Sequence, residues 1–271
     1  MPLITPETPL TPDLLSAAGL RLEVEGALAT LTIARPERRN SQTPTMWRTL
    51  SAVGAQLPEE VRVVVVRGEG PAFSAGLDRS MLDPAGGDGE ETVSALLALP
   101  DDQVSATIDA YQRGFTWLRD PRFVSIAAVQ GHAVGAGFQL ALACDLRVVA
   151  EDVSFCMKES ALGLVPDLAG TQPLVECVGY MRALEICATA RRVGAAEAAE
   201  IGLALAVVPA AELDQAVADL VAALTAPLAG AVRETKALLL GAGERSLEEQ
   251  RRLEREAQTR RFRELAQLMG G

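Results

Sequence analysis

"QGHAVGAGFQLALACDLRVVA", residues 130–150, is the stretch whose reading decides the fold of this chain. It closes the apolar run FVSIAAVQG, passes through Gly131, Gly135 and Gly137, and opens an uncharged apolar segment. Strand, glycine turn, helix and a further strand, LRVVA, form the pattern of an α/β protein. The first amides of such a helix lack intrahelical partners and sit at its positive dipole end. They can therefore hold a phosphate or stabilise an oxyanion. The glycine spacing does not give GxGxxG, so the dinucleotide fingerprint is excluded. Spacing alone suits a tight packing turn as well as a binding site. One uncharged amide, Gln139, stands on the first turns of the helix.

A second turn of the same kind lies upstream. The β-branched run VRVVVV reads as a strand buried on both faces, and GEGPAFSAGLDRSM follows it. That turn bares amides around Ala75, Gly76 and Leu77, with Asp78 placed to cap what comes next. Two strand-end turns could point a pair of N–H groups at one carbonyl oxygen, as an enolate intermediate requires.

Before these turns, LRLEVEGALATLTIARP alternates around Glu25-Gly26 as a hairpin, and TPTMWRTLSAVGAQL has helical periodicity behind a Thr43 cap. Residues 81–100 carry a Pro/Gly/acid cluster and read as a surface segment, either a plain loop or a lid. A helix over about 101–120 leads into FVSIAAVQG; VSFCMKE and LALAVVP give later strands. Strand-then-helix passages starting near 28, 61 and 123 suggest a repeated unit. The expected organisation is an extended N-terminal arm (1–19), an α/β core (20–209) and a helical region (210–271). The last ends in RSLEEQRRLEREAQTRRFRELAQLM, a charged helix over an apolar stripe suited to an oligomer or domain contact.

Composition narrows the function. The chain has 271 residues, 49% apolar but only 4% aromatic, so Ala, Val and Leu must build the core. A net charge of −11 argues against nucleic acid or an anionic membrane as partner. Cys144, Cys156, Cys177 and Cys187 fit no metal spacing and read as buried, reduced thiols of a cytoplasmic protein. With His132 the only histidine, a histidine-rich metal site is excluded. The N-terminus, MPLITPETPLTPDLL, lacks a signal-peptide layout, and no apolar run approaches the ~20 residues of a membrane span.

Four ordered motifs carry a resemblance: ARPERRNS (34–41), FSAGLD (73–78), GHAVGAGFQLALACDLRVVA (131–150) and KESALGLVPDLAGTQ (158–172). Together they resemble the crotonase superfamily of enoyl-CoA hydratases and isomerases, over roughly residues 20–263. The resemblance implies an α/β spiral of repeated ββα units with a C-terminal helical region, assembled as trimers or dimers of trimers. It implies an acyl-CoA thioester as ligand, with coenzyme A part of the substrate and no separate cofactor. By motif position the oxyanion hole falls on the amides of Leu77 and Ala136. The acyl-CoA-binding set is Ala75, Gly76 and Gly135, with Arg38 and Arg39 at the phosphate end; solvated loop arginines fit the latter pair nearly as well.

In the family's hydratases two glutamates handle a water. Glu159 stands at the second position, while Gln139 replaces the first. An amide cannot accept a proton at neutral pH, and a missing general base costs ~10²–10⁴ in rate. Double-bond isomerisation with Glu159 as acid/base is therefore favoured. The alternatives are a hydratase in which Gln139 positions the water, and a non-catalytic acyl-CoA-binding protein. Asp167 matches an acid of the family's dienoyl-CoA isomerases but reads rather as a loop cap. His132 reads as packing, and Asp145 with Arg147 as an internal ion pair.

Overall fold

The computed structural model describes residues 4–83 and 91–270. Thr11 caps a short helix, α1 (Pro12–Ala17), by accepting from the Leu14 amide at 3.1 Å. The N-terminal arm is thus not extended throughout, because Thr-Pro supplies a cap and a preset first helical residue. The expected hairpin follows as β1 (Leu20–Glu25) and β2 (Leu28–Ile33), antiparallel with Glu25 opposite Leu28. Thr43 then caps α2 (Pro44–Gln56).

From there strands alternate between two sheets. β3 (Val63–Gly68), β4 (Val124–Val129) and β6 (Leu146–Ala150) join β2 in parallel, and β9 (Ala206–Val208) closes a six-stranded sheet ordered β1-β2-β3-β4-β6-β9. After β4 and β6 the chain crosses to a small sheet of β5 (His132–Val134), β7 (Ser154–Cys156) and β8 (Arg192–Gly194). Isolated parallel bridges, Ser74 with Ala133 and Gln42 with Leu77, continue that layer into the two preceding turns. Each circuit is large-sheet strand, small-sheet strand or bridge, then helix. Four such circuits follow β2, β3, β4 and β6, the spiral of ββα units expected from the sequence.

The helices between are α3 (Val93–Leu97), α4 (Asp101–Thr116), α5 (Ala136–Ala143), α6 (Thr171–Thr189) and α7 (Ala195–Glu200). Of the segment 81–100 expected as a loop, residues 84–90 lie outside the described residues. Beyond them Glu91 pairs with buried Arg48 at 2.9 Å and accepts from Tyr111 Oη at 2.8 Å, and Thr92 caps α3.

Period-two alternation explains the valine runs. Val64, Val66, Ala127, Val129 and Val149 face the main core against α2, α4 and α5. Val63, Val65, Ile126, Ala128 and Val148 face the other side, where α8 (Leu213–Thr225) covers them with Leu213 and Val217. The boundary drawn at residue 210 therefore does not separate α8 from the core. Without that helix the valine face would meet water, at ~1.5–3 kcal/mol for each large side chain.

α9 (Ala229–Leu239) is tied in by Lys236, which donates to the Asp120 and Phe123 carbonyls and to Asp145 Oδ2, each at 2.7 Å. Asp145 and Arg147 do not pair with each other. Asp145 takes Lys236 and Ser125, while Arg147 donates to the Leu203 carbonyl and, at the C-terminal end of α5, to the Ala141 and Cys144 carbonyls. α10 (Leu247–Gly270) leaves Phe262, Leu265, Leu268 and Met269 exposed in the single chain. All four cysteines are free thiols, but only Cys144 and Cys156 are buried; Cys177 and Cys187, on the outer helix α6, are half-buried. Among the described residues no single helix is long and apolar enough to cross a membrane.

Candidate active site

Two peptide planes set the site. The Gln42 amide donates to the Gly76 carbonyl at 2.8 Å, and the Asp78 amide donates to the Gln42 carbonyl at 2.8 Å. In a trans peptide the C=O and the following N–H point oppositely. Gripping Gly76 by its oxygen therefore aims the Leu77 N–H away from Gln42. The same logic holds on α5, where the Gly135 carbonyl accepts from the Gln139 amide at 2.9 Å. The Ala136 N–H then points out of the helix N-terminus, and among the described residues no main-chain carbonyl takes either it or the Leu77 N–H.

The two turns lie against each other. Ser74 donates to the His132 carbonyl at 2.9 Å and accepts from Val134 at 3.0 Å. A Cβ on Gly76 would stand 2.3 Å from the Val134 oxygen and 3.5 Å from the Ala136 nitrogen, and Gly76 has φ +87°, so only glycine fits there. Ala136 is not among the positive-φ residues, so alanine there carries no strain.

Glu159 closes the site. A Cβ on Gly135 would come within 3.3 Å of its Oε1. Gln139 Oε1 accepts from the Leu168 amide at 2.9 Å and the Gly170 amide at 3.3 Å. That fixes the amide's orientation, and Gln139 Nε2 donates to Glu159 Oε1 at 2.7 Å. Glu159 Oε2 is buried with no hydrogen-bond partner. Burial pushes the Glu159 carboxyl above its usual pKa; the Glu159 and Lys158 main chain and Gln139 pull it down, and the Asp167 charge pushes it up again. Asp167 is an exposed residue, yet the packing around its carboxyl raises its pKa, against the pull of its own backbone N–H. The arrangement offers two N–H groups for a developing oxyanion and, beside them, one carboxylate oxygen free to take a proton.

A sequence profile for the enoyl-CoA hydratase/isomerase family matches residues 23–270. The chain belongs to the enoyl-CoA hydratase/isomerase family. A candidate enoyl-CoA hydratase of Thermobifida fusca YX, solved in complex with acetoacetyl-CoA, is 54% identical with a TM-score of 0.91, over 94% of this chain and 98% of that one. The candidate enoyl-CoA hydratase/isomerase YngF of Bacillus subtilis (strain 168) is 34% identical over 77% of this chain and 76% of its own length. The peroxisomal Delta(3,5)-Delta(2,4)-dienoyl-CoA isomerase of Arabidopsis thaliana is 30% identical over 85% of this chain and 83% of its own.

In this family member the structure brings Leu77, Ala136, Gln139, Glu159, Gly76 and Gly135 together. Ala75 donates its amide to the Arg39 carbonyl at 2.8 Å, which places the arginine turn beside the amide turn. Arg38 and Arg39 are exposed, and no ion pair involves either among the described residues. Asp167 does not cap its loop: among the described residues its carboxyl takes only its own backbone N–H. His132 does not pack: it is exposed at the edge of β5, because its carbonyl rather than its ring serves the Ser74 turn.

Asp78 is buried, and burial alone would raise its carboxyl. Hydrogen bonds from Ser41 and Ser80 and the charge of Arg35 outweigh that and hold it below the usual value. Residues that the sequence did not flag are Arg35, Ser41, Gln42 and Ser74, which lock the two turns. The only available signal was their polarity within motifs that fold into buried backbone.

Proposed function

We propose that this family member shifts the double bond of an enoyl-CoA thioester. The thioester oxygen sits between the Leu77 and Ala136 N–H groups. Glu159 Oε2 removes an α- or γ-proton: the C–H bond breaks, a carboxyl O–H forms, and the electron pair moves into a dienolate held at the two amides. Glu159 then returns the proton at the other end of the conjugated system. Asp167, whose charge reaches Glu159, is a second carboxyl for substrates whose proton must travel farther. Arg38 and Arg39 meet the phosphate end of coenzyme A, which enters as part of the substrate.

One observation carries the reading. Gln139 is committed to the 168–170 backbone and to Glu159 Oε1, which leaves Glu159 Oε2 as the free proton acceptor. This disfavours hydration. Gln139 retains a single N–H for a water and no lone pair to orient or deprotonate it. A vestigial binding site fits poorly with a buried carboxylate whose Oε2 has no hydrogen-bond partner, which is costly unless used. The complex of the Thermobifida fusca relative with acetoacetyl-CoA supports an acyl-CoA ligand. The exposed apolar residues of α10 suit a subunit contact in a homotrimer or dimer of trimers, and the free thiols suit a reducing cytoplasm.

The test is incubation with 2-trans- and 3-trans-enoyl-CoA in deuterated water, read by mass spectrometry. Deuterium incorporation with double-bond migration and no added water supports isomerisation. Stoichiometric water addition overturns it in favour of hydration. Glu159→Gln should abolish exchange while acyl-CoA affinity stays within about three-fold.

A further inference from the structure

The buried polar groups behind the amide turn form a closed relay. Trp47 Nε1 donates to Gln42 Oε1 at 2.8 Å, and Gln42 Nε2 donates to Ser74 Oγ at 3.1 Å. Ser74 Oγ also accepts from the Gly76 amide at 3.2 Å and donates its proton to the Asn40 carbonyl at 2.7 Å. Donor and acceptor identities leave one arrangement. An indole can only donate, so Gln42 must turn its oxygen to Trp47 and its NH₂ to Ser74. Ser74 then has both lone pairs and its proton in use. Gln42 and Ser74 are both fully buried, at 0% exposure, so no water can replace either.

Gln42 thus holds the Gly76–Leu77 turn twice. Its main chain grips the Gly76 carbonyl and the Asp78 amide, and its side chain fixes the hydroxyl that receives the Gly76 amide. Gly76, at φ +87°, has no Cβ to resist rotation of its flanking peptide planes. What resists is this pair of anchors. A tilt of the Gly76–Leu77 plane would swing the Leu77 N–H off the oxyanion position, where stabilisation depends steeply on aim.

We infer that Gln42 is a positioning residue for the oxyanion site, acting through Ser74 and Gly76 to aim the Leu77 amide at the thioester oxygen. The inference rests on the proposed use of the Leu77 and Ala136 amides, and not on Glu159 as the base. Replacing Gln42 with a side chain of similar length and no donor leaves the backbone bridge but unmakes the relay. Carbonyl polarisation should then fall more than binding does.

The test compares Gln42→Met and Ser74→Ala with wild type, each also in a Glu159→Gln background so that bound substrate does not turn over. The probe is a 2-enoyl-CoA carrying ¹³C at the thioester carbonyl, read by infrared difference spectroscopy, alongside kcat and KM. The bound carbonyl stretch should lie below the free value in wild type and Glu159→Gln. It should move back toward the free value in both relay variants. In the otherwise native background, kcat should drop about ten- to hundred-fold with KM within about three-fold. A folded Gln42→Met or Ser74→Ala protein with wild-type carbonyl frequency and kcat overturns the inference. So does failure of both variants to fold, which would make the relay a fold determinant only. If Glu159→Gln retains full turnover while the relay variants still lose the downshift, the assignment of the base fails and Gln42 keeps its role. No downshift in any protein overturns both.

Discussion

Gln139 Nε2 donates to Glu159 Oε1 at 2.7 Å, and the Leu168 and Gly170 amides leave that side chain no other way to turn. The amide steadies one oxygen of the carboxylate and leaves the other bare. Gln139 thus supports the carboxylate it touches.

Gln139→Glu converts this contact into two carboxyls at hydrogen-bond distance. They must share a proton, so their apparent pKa values split. Activity that needs ionised Glu159 should rise at higher pH than in wild type, by at least about one unit in the acidic limb of kcat/KM. With a proton-accepting group restored beside the alkene, hydration of a 2-enoyl-CoA should also increase by more than about ten-fold. Stopped assays across pH and product analysis read both, and a marginal gain in hydration would favour the hydratase reading.

Glu159 should also lower the stability of its own fold. Burial raises its folded pKa above the ordinary 4.5, so between those values the folded state binds more protons than the unfolded state. Stability then falls as pH rises through that window. Glu159→Gln removes the cost and should melt higher than wild type near pH 8, by about 2–4 °C per kcal/mol relieved. The advantage should vanish below the ordinary glutamate value of 4.5. Calorimetry at several pH values checks the sign.

Asp78 behaves oppositely. Its folded pKa lies below the ordinary 3.8, so its contribution is present above that value and lost as pH falls through the folded one. Asp78→Asn should cost about 2 kcal/mol at neutral pH by leaving Arg35 and Ser41 without their acceptor. The gap between variant and wild type should close below pH 3.8. Urea titrations at neutral and acidic pH measure it.

Lys236 fastens α9 to the core through Asp145 and two carbonyls. Lys236→Met strips a buried cation from a half-buried carboxylate and should destabilise by about 2–4 kcal/mol, toward the low side of a fully buried pair. Adding Asp145→Asn should recover part of that loss, because the stranded charge is gone. A double-mutant cycle in urea gives the coupling.

Much of the fold was legible because local patterns and burial agree. Alternation about Glu25-Gly26 gave the hairpin, Thr43-Pro44 gave the helix start, and VVVV could only be a strand covered on both faces. The role of α8 was not legible. Its apolar stripe says that it must be buried, but not that the valine face of β3, β4 and β6 is what it covers. The partners of Asp145 and Arg147 were hidden for the same reason: a charge's nearest neighbour in sequence need not be its neighbour in space.

By itself the sequence determined which groups could do chemistry: glycines that free amides at a helix start, a carboxylate at Glu159 and an amide at Gln139. Tertiary structure alone decided how they act on one another. Whether the Leu77 and Ala136 N–H groups face one place, which oxygen of Glu159 stays bare, and what aims Gly76 depend on contacts between residues 20 to 60 positions apart. Periodicity encodes which face of an element is buried. The direction of a single N–H is set by what its peptide neighbour holds on to.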